Sequence, residues 1–202
     1  MSPWLWDDST PVTAWLGITF GAAGGTNAGR VVMIQLESSD LTGDVPAAFG
    51  GLTALTRLEL SRNQLTSVPA AFGALTALTA LDLSRNKLTS LPAELGGLTA
   101  LTRLVLNGNQ LTSVPVELGA LTALTRLYLS GNRLTSVPAE LGMLTALKTL
   151  YLSRNQLTSV QAELGALTAL TRLDFGGNPV TSVPAEWEEG GASEKGGCKI
   201  TR

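Results

Sequence analysis

Residues 52–74 read LTALTRLELSRNQLTSVPAAFGA, and this text returns five more times along the chain with few changes. Each copy begins 23 residues after the one before it. The later copies start at Leu75, Leu98, Leu121, Leu144 and Leu167. A fixed period of this length is the signature of a repeat architecture. One unit is too small to bury its own apolar side, so neighbouring units must stack and cover one another.

The first half of each copy predicts a short strand. In residues 52–74, Leu58 and Leu60 alternate with Arg57 and Glu59, which is the period of a strand with one buried face. Equivalent strands of successive copies would then lie side by side in a parallel sheet, about 4.8 Å apart. The residues that alternate with the leucines would face out from this sheet.

An asparagine follows each predicted strand. Its amide group carries two donors and two acceptor lone pairs, enough to satisfy backbone groups that a turn leaves without partners. We therefore predict a buried ladder of structural asparagines and expect an alanine substitution in it to cost roughly 1–3 kcal/mol. The ladder consists of Asn63, Asn86, Asn109, Asn132, Asn155 and Asn178.

The second half of each copy returns the chain to the next strand. Pro69 requires an extended residue before it and can open a short helical turn. Gly73 is predicted to leave that turn with a positive φ. In the sixth repeat Gln161 replaces the proline. The sequence suggests no reason for that substitution.

Each copy contains the pattern L-x-x-L-x-L-x-x-N-x-L, which resembles a leucine-rich repeat. The resemblance implies an α/β repeat fold, a right-handed curved solenoid (horseshoe). Its parallel sheet would line the concave face, and short helical or 3-10 turns would lie on the convex side. We divide residues 29–187 into repeats 1 to 7: 29–51, 52–74, 75–97, 98–120, 121–143, 144–166 and 167–187.

The two ends of the chain depart from the repeat. Residues 1–28 contain Trp4, Trp6 and Trp15 and are predicted to cap the first repeat, with Leu16, Ile18 and Phe20 facing it. The stretch WLGITF, followed by GRVVMIQL and LTGDVP, resembles the cap and first repeat of plant-type extracellular leucine-rich repeat receptors. Those caps usually carry a cysteine pair, and Phe20 stands where a cysteine is expected.

At the other end, Trp187 is predicted to cover the last repeat. Residues 188–202 are polar and rich in glycine, and they predict a flexible tail.

The composition limits the functions to consider. A net charge of −2 argues against nucleic acid as a partner, and no apolar run is long enough to predict a membrane span. With no histidine and a single cysteine, Cys198, we expect no metal, no cofactor and no catalytic site. The single cysteine and the absence of a signal-peptide pattern lead us to expect a cytoplasmic protein.

The positions that vary between copies carry the functional prediction. Tyrosine and arginine gather on the predicted concave face of the middle repeats, and both are enriched in protein-interface hot spots. We predict a protein-binding scaffold whose partner has an acidic surface, and we expect a monomer, with a homodimer as the alternative. The alternative reading of these residues is that they only suit a strand. The predicted contact residues are Arg103, Val105, Arg126, Tyr128, Tyr151, Arg154 and Arg172.

A second hypothesis comes from two regular threonine columns, because a flat threonine ladder can match an ordered surface such as ice. A thermal hysteresis assay would separate this hypothesis from protein binding. One column consists of Thr66, Thr89, Thr112, Thr135, Thr158 and Thr181, and the other of Thr53, Thr76, Thr99, Thr122, Thr145 and Thr168.

Overall fold

The structure, a computed structural model, describes residues 17–22, 24–183, 194–195 and 198–201. These residues form the predicted right-handed curved solenoid, with a parallel sheet along the concave face and 3-10 helices on the convex side. No helix within the described part of the chain is long and apolar enough to cross a membrane.

The concave sheet takes one strand from each repeat. In chain order the strands are β1 Ile18–Phe20, β2 Val31–Gln35, β3 Thr42–Asp44, β4 Arg57–Glu59, β5 Gln64–Ser67, β6 Ala80–Asp82, β7 Arg103–Val105, β8 Arg126–Tyr128, β9 Thr149–Tyr151, β10 Arg172–Asp174, β11 Glu194–Lys195 and β12 Cys198–Thr201. Ten of them form one sheet in the order β1-β2-β4-β6-β7-β8-β9-β10-β12-β11, and β3 pairs with β5 in a second sheet.

The leucine columns build the core between the sheet and the convex side. From β2 to β10 the register is constant, so that Leu104 lies opposite Leu127 and Leu127 lies opposite Leu150. All three are buried in a single apolar cluster that runs from Ile34 to Phe175. Full burial of such a side chain contributes roughly 1.5–3 kcal/mol. The core is therefore a ladder of equivalent contacts between neighbouring repeats.

The convex side is a stack of short 3-10 helices. Their bounds are Ala47–Gly51, Ala70–Ala74, Ala93–Gly97, Val116–Ala120, Ala139–Met143 and Ala162–Ala166. The first five follow a proline and the sixth follows Gln161. The fixed φ of proline suits the residue before a helix, which explains why proline recurs there.

The glycine near the end of each of the first five 3-10 helices serves packing rather than backbone conformation. We predicted a positive φ at Gly73, and this prediction is wrong, because Gly73 is not among the residues with positive φ. A Cβ atom at Gly73 would instead lie 2.6 Å from the carbonyl oxygen of Glu94 in the next helix. Successive helices therefore approach too closely for any side chain at this position.

The asparagines are buried and join consecutive repeats. Asn109 Oδ1 accepts a hydrogen bond from the Leu88 N–H of the preceding repeat at 3.1 Å. Its Nδ2 donates to the carbonyl oxygens of Leu83 and Leu106, both at 3.0 Å. The same set of contacts recurs in the other copies: Asn63, Asn86, Asn132, Asn155 and Asn178. Asn178 is only half-buried, because it lies in the last repeat.

The N-terminal edge of the sheet is covered by β1. This strand pairs antiparallel with β2, and Ile18 lies opposite Ile34 and packs against the core. Phe20 is half-buried. The predicted contributions of Trp4, Trp6, Trp15 and Leu16 to the cap lie outside the described residues, as does that of Trp187 at the other end.

The C-terminal segment differs from the predicted flexible tail. Within residues 188–202, β11 and β12 are strands, and β12 pairs in parallel with β10 so that Ile200 lies opposite Leu173. The reason is physical, because the free edge of β10 presents unpaired backbone groups that an extended segment can satisfy. The alternation Lys199-Ile200-Thr201 matches the polar-apolar-polar pattern of β10, and it is the sequence signal for this pairing.

The residue that replaces proline in repeat 6 yields a stability prediction. Gln161 has φ −67°, the same value as Pro138 in the repeat before it. Its N–H donates no hydrogen bond to another described residue. Gln161→Pro should therefore restrict the unfolded chain without straining the folded one, and raise the free energy of unfolding by about 0.5 kcal/mol.

Urea denaturation of the two proteins measures this difference. Gln156→Pro is the matched control, because the Gln156 N–H donates to the Leu134 carbonyl oxygen at 2.8 Å. That variant should be less stable than the parent protein, since proline removes the donor. A lower urea midpoint for Gln161→Pro would contradict the prediction.

Candidate functional site

The concave face of repeats 4 to 6 carries most of the predicted contact residues. Leu104, Leu127 and Leu150 point into the core from the centres of β7, β8 and β9. The residues on either side of each leucine therefore face the concave surface. This places Arg103 and Arg126 in one column, and it places Tyr128 and Tyr151 in the neighbouring column.

The two tyrosines and one arginine contact each other. The rings of Tyr128 and Tyr151 meet edge to face, with centroids 5.3 Å apart and an angle of 83° between their planes. The Arg103 guanidinium carbon lies 5.5 Å from the centre of the Tyr128 ring. Both contacts are favourable geometries for these groups. We define the tyrosine patch as Arg103, Arg126, Tyr128 and Tyr151.

Val105 does not present the apolar surface that the sequence predicted. It lies on the concave side in register with Tyr128, yet only 6% of it is exposed. It also lies outside the main core cluster. Val105 therefore has little surface to offer a partner, although it lies beside Tyr128 in the same column. Thr149, 8% exposed, is covered in the same way.

The predicted contact arginines of the middle and late repeats have no acidic partner among the described residues. Within the described residues, ion pairs occur only in repeats 1 and 2, where Arg57 Nε lies 2.7 Å from Glu59 Oε1 and Arg62 Nε lies 3.4 Å from Glu37 Oε1. The predicted contact arginines form no ion pair with another described residue. These arginines are Arg103, Arg126, Arg154 and Arg172.

The inner acids near this surface are engaged by local donors. The Asp82 carboxylate accepts hydrogen bonds from the N–H and the hydroxyl of Ser84, at 2.9 and 2.6 Å. The Asp174 carboxylate accepts from the Gly176 N–H at 3.0 Å. These contacts hold the two carboxylates at their own turns, where neither forms an ion pair with an arginine of the tyrosine patch.

Arg154 occupies a different position from the other contact residues. It lies in the turn after β9, with φ 54°, in the left-handed region. From the sequence we predicted that Arg154 and the equivalent residues of the other repeats lie on the inner face of the sheet. The 23-residue repeat period does not reveal their backbone conformation. Arg62 and Arg85 share the conformation, whereas three other repeats have glycine there: Gly108, Gly131 and Gly177.

Between the tyrosines and this turn lies a polar row that sequence reasoning missed. Asn107 Oδ1 accepts a hydrogen bond from the Ser130 N–H at 2.7 Å, and the Ser153 hydroxyl donates to the Ser130 hydroxyl at 2.9 Å. All three side chains are half-buried. The sequence signal was the residue that directly follows the second leucine of each strand. This position is a serine in most repeats, and Asn107 takes its place in repeat 4.

The two threonine columns are exposed and lie away from the tyrosine patch. Within the described residues, only β3 and β5 and one bridge between Ser159 and Ser182 give regular pairing on that side.

The hydroxyls of Ser67 and Thr66 donate to Asp44 and hold the pKa of that carboxyl below its usual value. The threonine-ladder hypothesis stays a prediction, which the thermal hysteresis assay tests.

The described residues contain no group of three or more histidine, cysteine, aspartate or glutamate side chains placed to hold a metal ion. The chain has no histidine anywhere. The surface described above is a set of aromatic, cationic and amide groups.

Comparison with known proteins agrees with this architecture. A family model described as a leucine-rich repeat region matches residues 72–189, and a second, described as leucine rich repeat, matches residues 30–88. No protein with curated annotation matches the sequence.

Several solved structures resemble the chain. A leucine-rich repeat protein of Leptospira interrogans has 35% identity and a TM-score of 0.73 over 81% of this chain and 40% of its own. The ectodomain of the receptor kinase GASSHO1/SCHENGEN3 from Arabidopsis thaliana has 39% identity and a TM-score of 0.67, over 72% and 18%. An internalin of Listeria monocytogenes has 29% identity and a TM-score of 0.61, over 71% and 44%.

The chain thus spans less than half the length of each of these three proteins. The family models together cover the repeats from the first to the last, and the shared fold follows the same strands and turns. On this evidence, the chain belongs to the leucine-rich repeat family.

Proposed function

We propose that this chain is a non-catalytic protein-binding module whose contact surface is the concave face of repeats 4 to 6, centred on the tyrosine patch. Leucine-rich repeat domains typically mediate protein–protein interaction, and the family is generally non-enzymatic. The observation that carries the proposal is the contact chain from Arg103 through Tyr128 to Tyr151, whose half-buried side chains lie on the concave side of the sheet. Preordered aromatic and arginine side chains lose little conformational entropy when they bind.

Two of the similar structures are complexes, and they support a binding role. GASSHO1/SCHENGEN3 was solved in complex with CASPARIAN STRIP INTEGRITY FACTOR 2, and the Arabidopsis receptor kinase HAESA with the peptide hormone IDA and the co-receptor SERK1. These relatives are far longer than this chain. By analogy, the partner of this chain is a protein or peptide.

The charge of the surface supports an acidic partner. Arg126 and Arg172 are exposed, Arg103 is half-buried, and none of them is neutralised by a described acid. Complementary charge speeds encounter and selects partners more than it adds affinity. We therefore propose that the tyrosines supply most of the binding energy and that the arginines select an acidic surface. The monomeric state and the cytoplasmic location stay predictions.

The tyrosine patch can be tested by removing both rings. The double variant Tyr128→Ala, Tyr151→Ala should weaken binding to the natural partner by about 2 kcal/mol or more, roughly thirtyfold, if the rings are hot spots. Its thermal melt should stay close to that of the parent protein, because neither side chain belongs to the core cluster. Comparative pull-downs followed by titration of the retained partner measure the effect.

Thr112→Ala provides the matched control, since Thr112 is exposed and lies outside the tyrosine patch. A partner that binds the concave face should be retained by the parent protein and by Thr112→Ala. The double tyrosine variant should lose it. The opposite pattern, in which the tyrosine variant binds normally and the threonine variant does not, would exclude the concave face as the contact surface.

A further inference from the structure

A threonine directly before most concave strands joins consecutive repeats through its hydroxyl. Thr125 Oγ1 donates to the Thr102 carbonyl oxygen at 2.9 Å, and Thr171 Oγ1 donates to the Lys148 carbonyl oxygen at 3.0 Å. Repeat 6 has Lys148 in this position and therefore lacks a hydroxyl to donate. Packing between repeats favours threonine here, so the lysine points to a role outside the fold. The same contact recurs in repeats 2 to 4, at Thr56, Thr79 and Thr102.

Thr149, the residue after Lys148, has a buried hydroxyl without a partner. Its side chain faces the concave side, because Leu150 beside it belongs to the core. Only 8% of Thr149 is exposed, and its hydroxyl forms no hydrogen bond with another described residue. Buried polar groups nearly always have a hydrogen-bond partner, so this hydroxyl requires an explanation.

The residues around Thr149 supply positive charge. Arg126 in β8 and Arg172 in β10 are its register partners, one strand spacing of about 4.8 Å away on either side. Both arginines and Lys148 are exposed, and none of them forms an ion pair with another described residue. The carboxylate of Asp174, also on β10, accepts instead from the N–H of its own turn. Three cationic side chains therefore flank one unpartnered hydroxyl.

We infer that Arg126, Lys148, Thr149 and Arg172 form a binding site for a phosphate monoester group that the partner carries. We call these four residues the anion site. The inference rests on the proposed function, because the anion site adjoins the tyrosine patch and shares Arg126 with it. It adds which chemical group of an acidic partner is recognised. It also assigns roles to Lys148 and Thr149, which the sequence did not single out.

The composition of the anion site favours a phosphate group over a carboxylate. A phosphate monoester carries a charge of about −1.5 to −2 near pH 7 and presents three acceptor oxygens. A carboxylate carries a single negative charge and has two oxygens. The anion site combines three cations with one hydroxyl donor, so a carboxylate would leave part of it unused. Arginine also pairs with phosphate through directed, often bidentate hydrogen bonds.

Thr149 should contribute more to the affinity than Lys148 does. A hydrogen bond from a buried donor to a charged acceptor changes an equilibrium by roughly tenfold or more, because water does not compete for the donor. An exposed ion pair changes it by at most about fivefold, since solvent screens the charges. The hydroxyl therefore fixes where the anion lies, and the lysine adds attraction at the rim of the site.

Small phosphate ligands test the inference with the full chain. We would titrate the isotope-labelled protein at constant ionic strength and follow its amide signals by NMR. The probes are inorganic phosphate, acetate, and a short glycine–serine peptide with or without one phosphoserine. The phosphopeptide and inorganic phosphate should bind at least about fivefold more tightly than acetate and the unmodified peptide, with the largest shifts around Thr149.

Two results of this titration would overturn the inference. The first is equal binding of phosphate and acetate, or signal shifts located away from β8, β9 and β10. The second is binding of inorganic phosphate without binding of the phosphopeptide, because it would mean a site for the free ion rather than for a phosphate group on a partner.

Substitutions of Thr149 separate the hydroxyl from the shape of the side chain. Thr149→Val keeps the branched shape and removes the donor, so phosphopeptide binding should weaken about tenfold. Thr149→Ser keeps the donor and should retain binding. If Thr149→Val binds the phosphopeptide as tightly as the parent protein does, the hydroxyl does not contact the anion and the inference is wrong.

Lys148→Thr gives repeat 6 the residue that its neighbours have. It should fold as the parent protein does and weaken phosphopeptide binding about threefold, because it removes one charge at the rim. Arg133→Gln is the matched control, since it removes one charge from an exposed residue outside the concave strands, where repeats 2, 4 and 6 have glutamine. It should leave binding unchanged. An equal loss in both variants would mean that net charge alone attracts the anion, which contradicts the inference.

The natural partner then distinguishes this inference from the proposed function. If Thr149→Val, the double tyrosine variant and phosphatase treatment of the partner each abolish binding, both proposals hold. If only the double tyrosine variant loses the partner, the tyrosine patch is the contact surface and the anion site is not. If only Thr149→Val and phosphatase treatment abolish binding, the anion site holds the partner and the tyrosine patch does not. If no change affects binding, both proposals fail. Thermal melts establish that the compared variants are folded.

Discussion

Asn109→Ala should lower the free energy of unfolding by about 3 kcal/mol, because it leaves a buried backbone donor without a partner. The Leu88 N–H donates to Asn109 Oδ1, and both residues are buried. No other acceptor is bonded to this N–H among the described residues. The hydrogen bond that this substitution removes joins repeats 3 and 4, so its removal also weakens the interface between them.

The two carbonyl oxygens that Asn109 bonds are less affected. Leu83 O also accepts from Asn86 Nδ2 at 3.0 Å, and Leu106 O also accepts from Asn132 Nδ2 at 3.1 Å. Each carbonyl thus keeps one amide partner when Asn109 is removed. Most of the expected loss therefore comes from the Leu88 N–H and from the space left by the amide.

Urea denaturation followed by circular dichroism measures this prediction. Gln110→Ala is the matched control, since Gln110 is the next residue, is half-buried and makes no side-chain hydrogen bond with a described residue. It should change stability by less than about 0.5 kcal/mol. A urea midpoint of Asn109→Ala equal to that of Gln110→Ala would mean that the asparagine ladder contributes little to stability.

Gly119→Ala should destabilise the protein by about 3 kcal/mol, the upper part of the range for overpacking. The added Cβ atom would lie 2.6 Å from the Glu140 carbonyl oxygen and 2.8 Å from Glu140 Cβ. Both belong to the next 3-10 helix, whose backbone is fixed by the repeat that follows. Relief of the clash would therefore require two repeats to move apart.

Gly51→Ala is the control for this prediction. A Cβ atom at Gly51 meets no atom within 4 Å, and the equivalent position is already alanine at Ala74 and Ala120. Gly51→Ala should leave the thermal midpoint unchanged or raise it slightly, since alanine restricts the unfolded chain. If Gly119→Ala melts at the same temperature as Gly51→Ala, the helices are not packed as tightly as the structure shows.

The candidate surface was only partly accessible to sequence reasoning. The period placed Arg103, Tyr128 and Tyr151 on one face, since each alternates with a core leucine. It did not show that Val105, in the same column, is covered and 6% exposed. Exposure depends on the side chains of neighbouring repeats, which lie 23 residues away in the chain. A pattern within one repeat contains no such information.

The sequence by itself determined the repeat length, the strand, the asparagine ladder and the side of the sheet on which each residue lies. Each of these follows from alternation and composition within a single copy. The tertiary structure decided what happens between copies: the contact that makes Gly119 obligatory, the strand β12 against β10, and the left-handed turn of Arg154. These features depend on distances between stacked backbones, and the order of residues along the chain does not specify them.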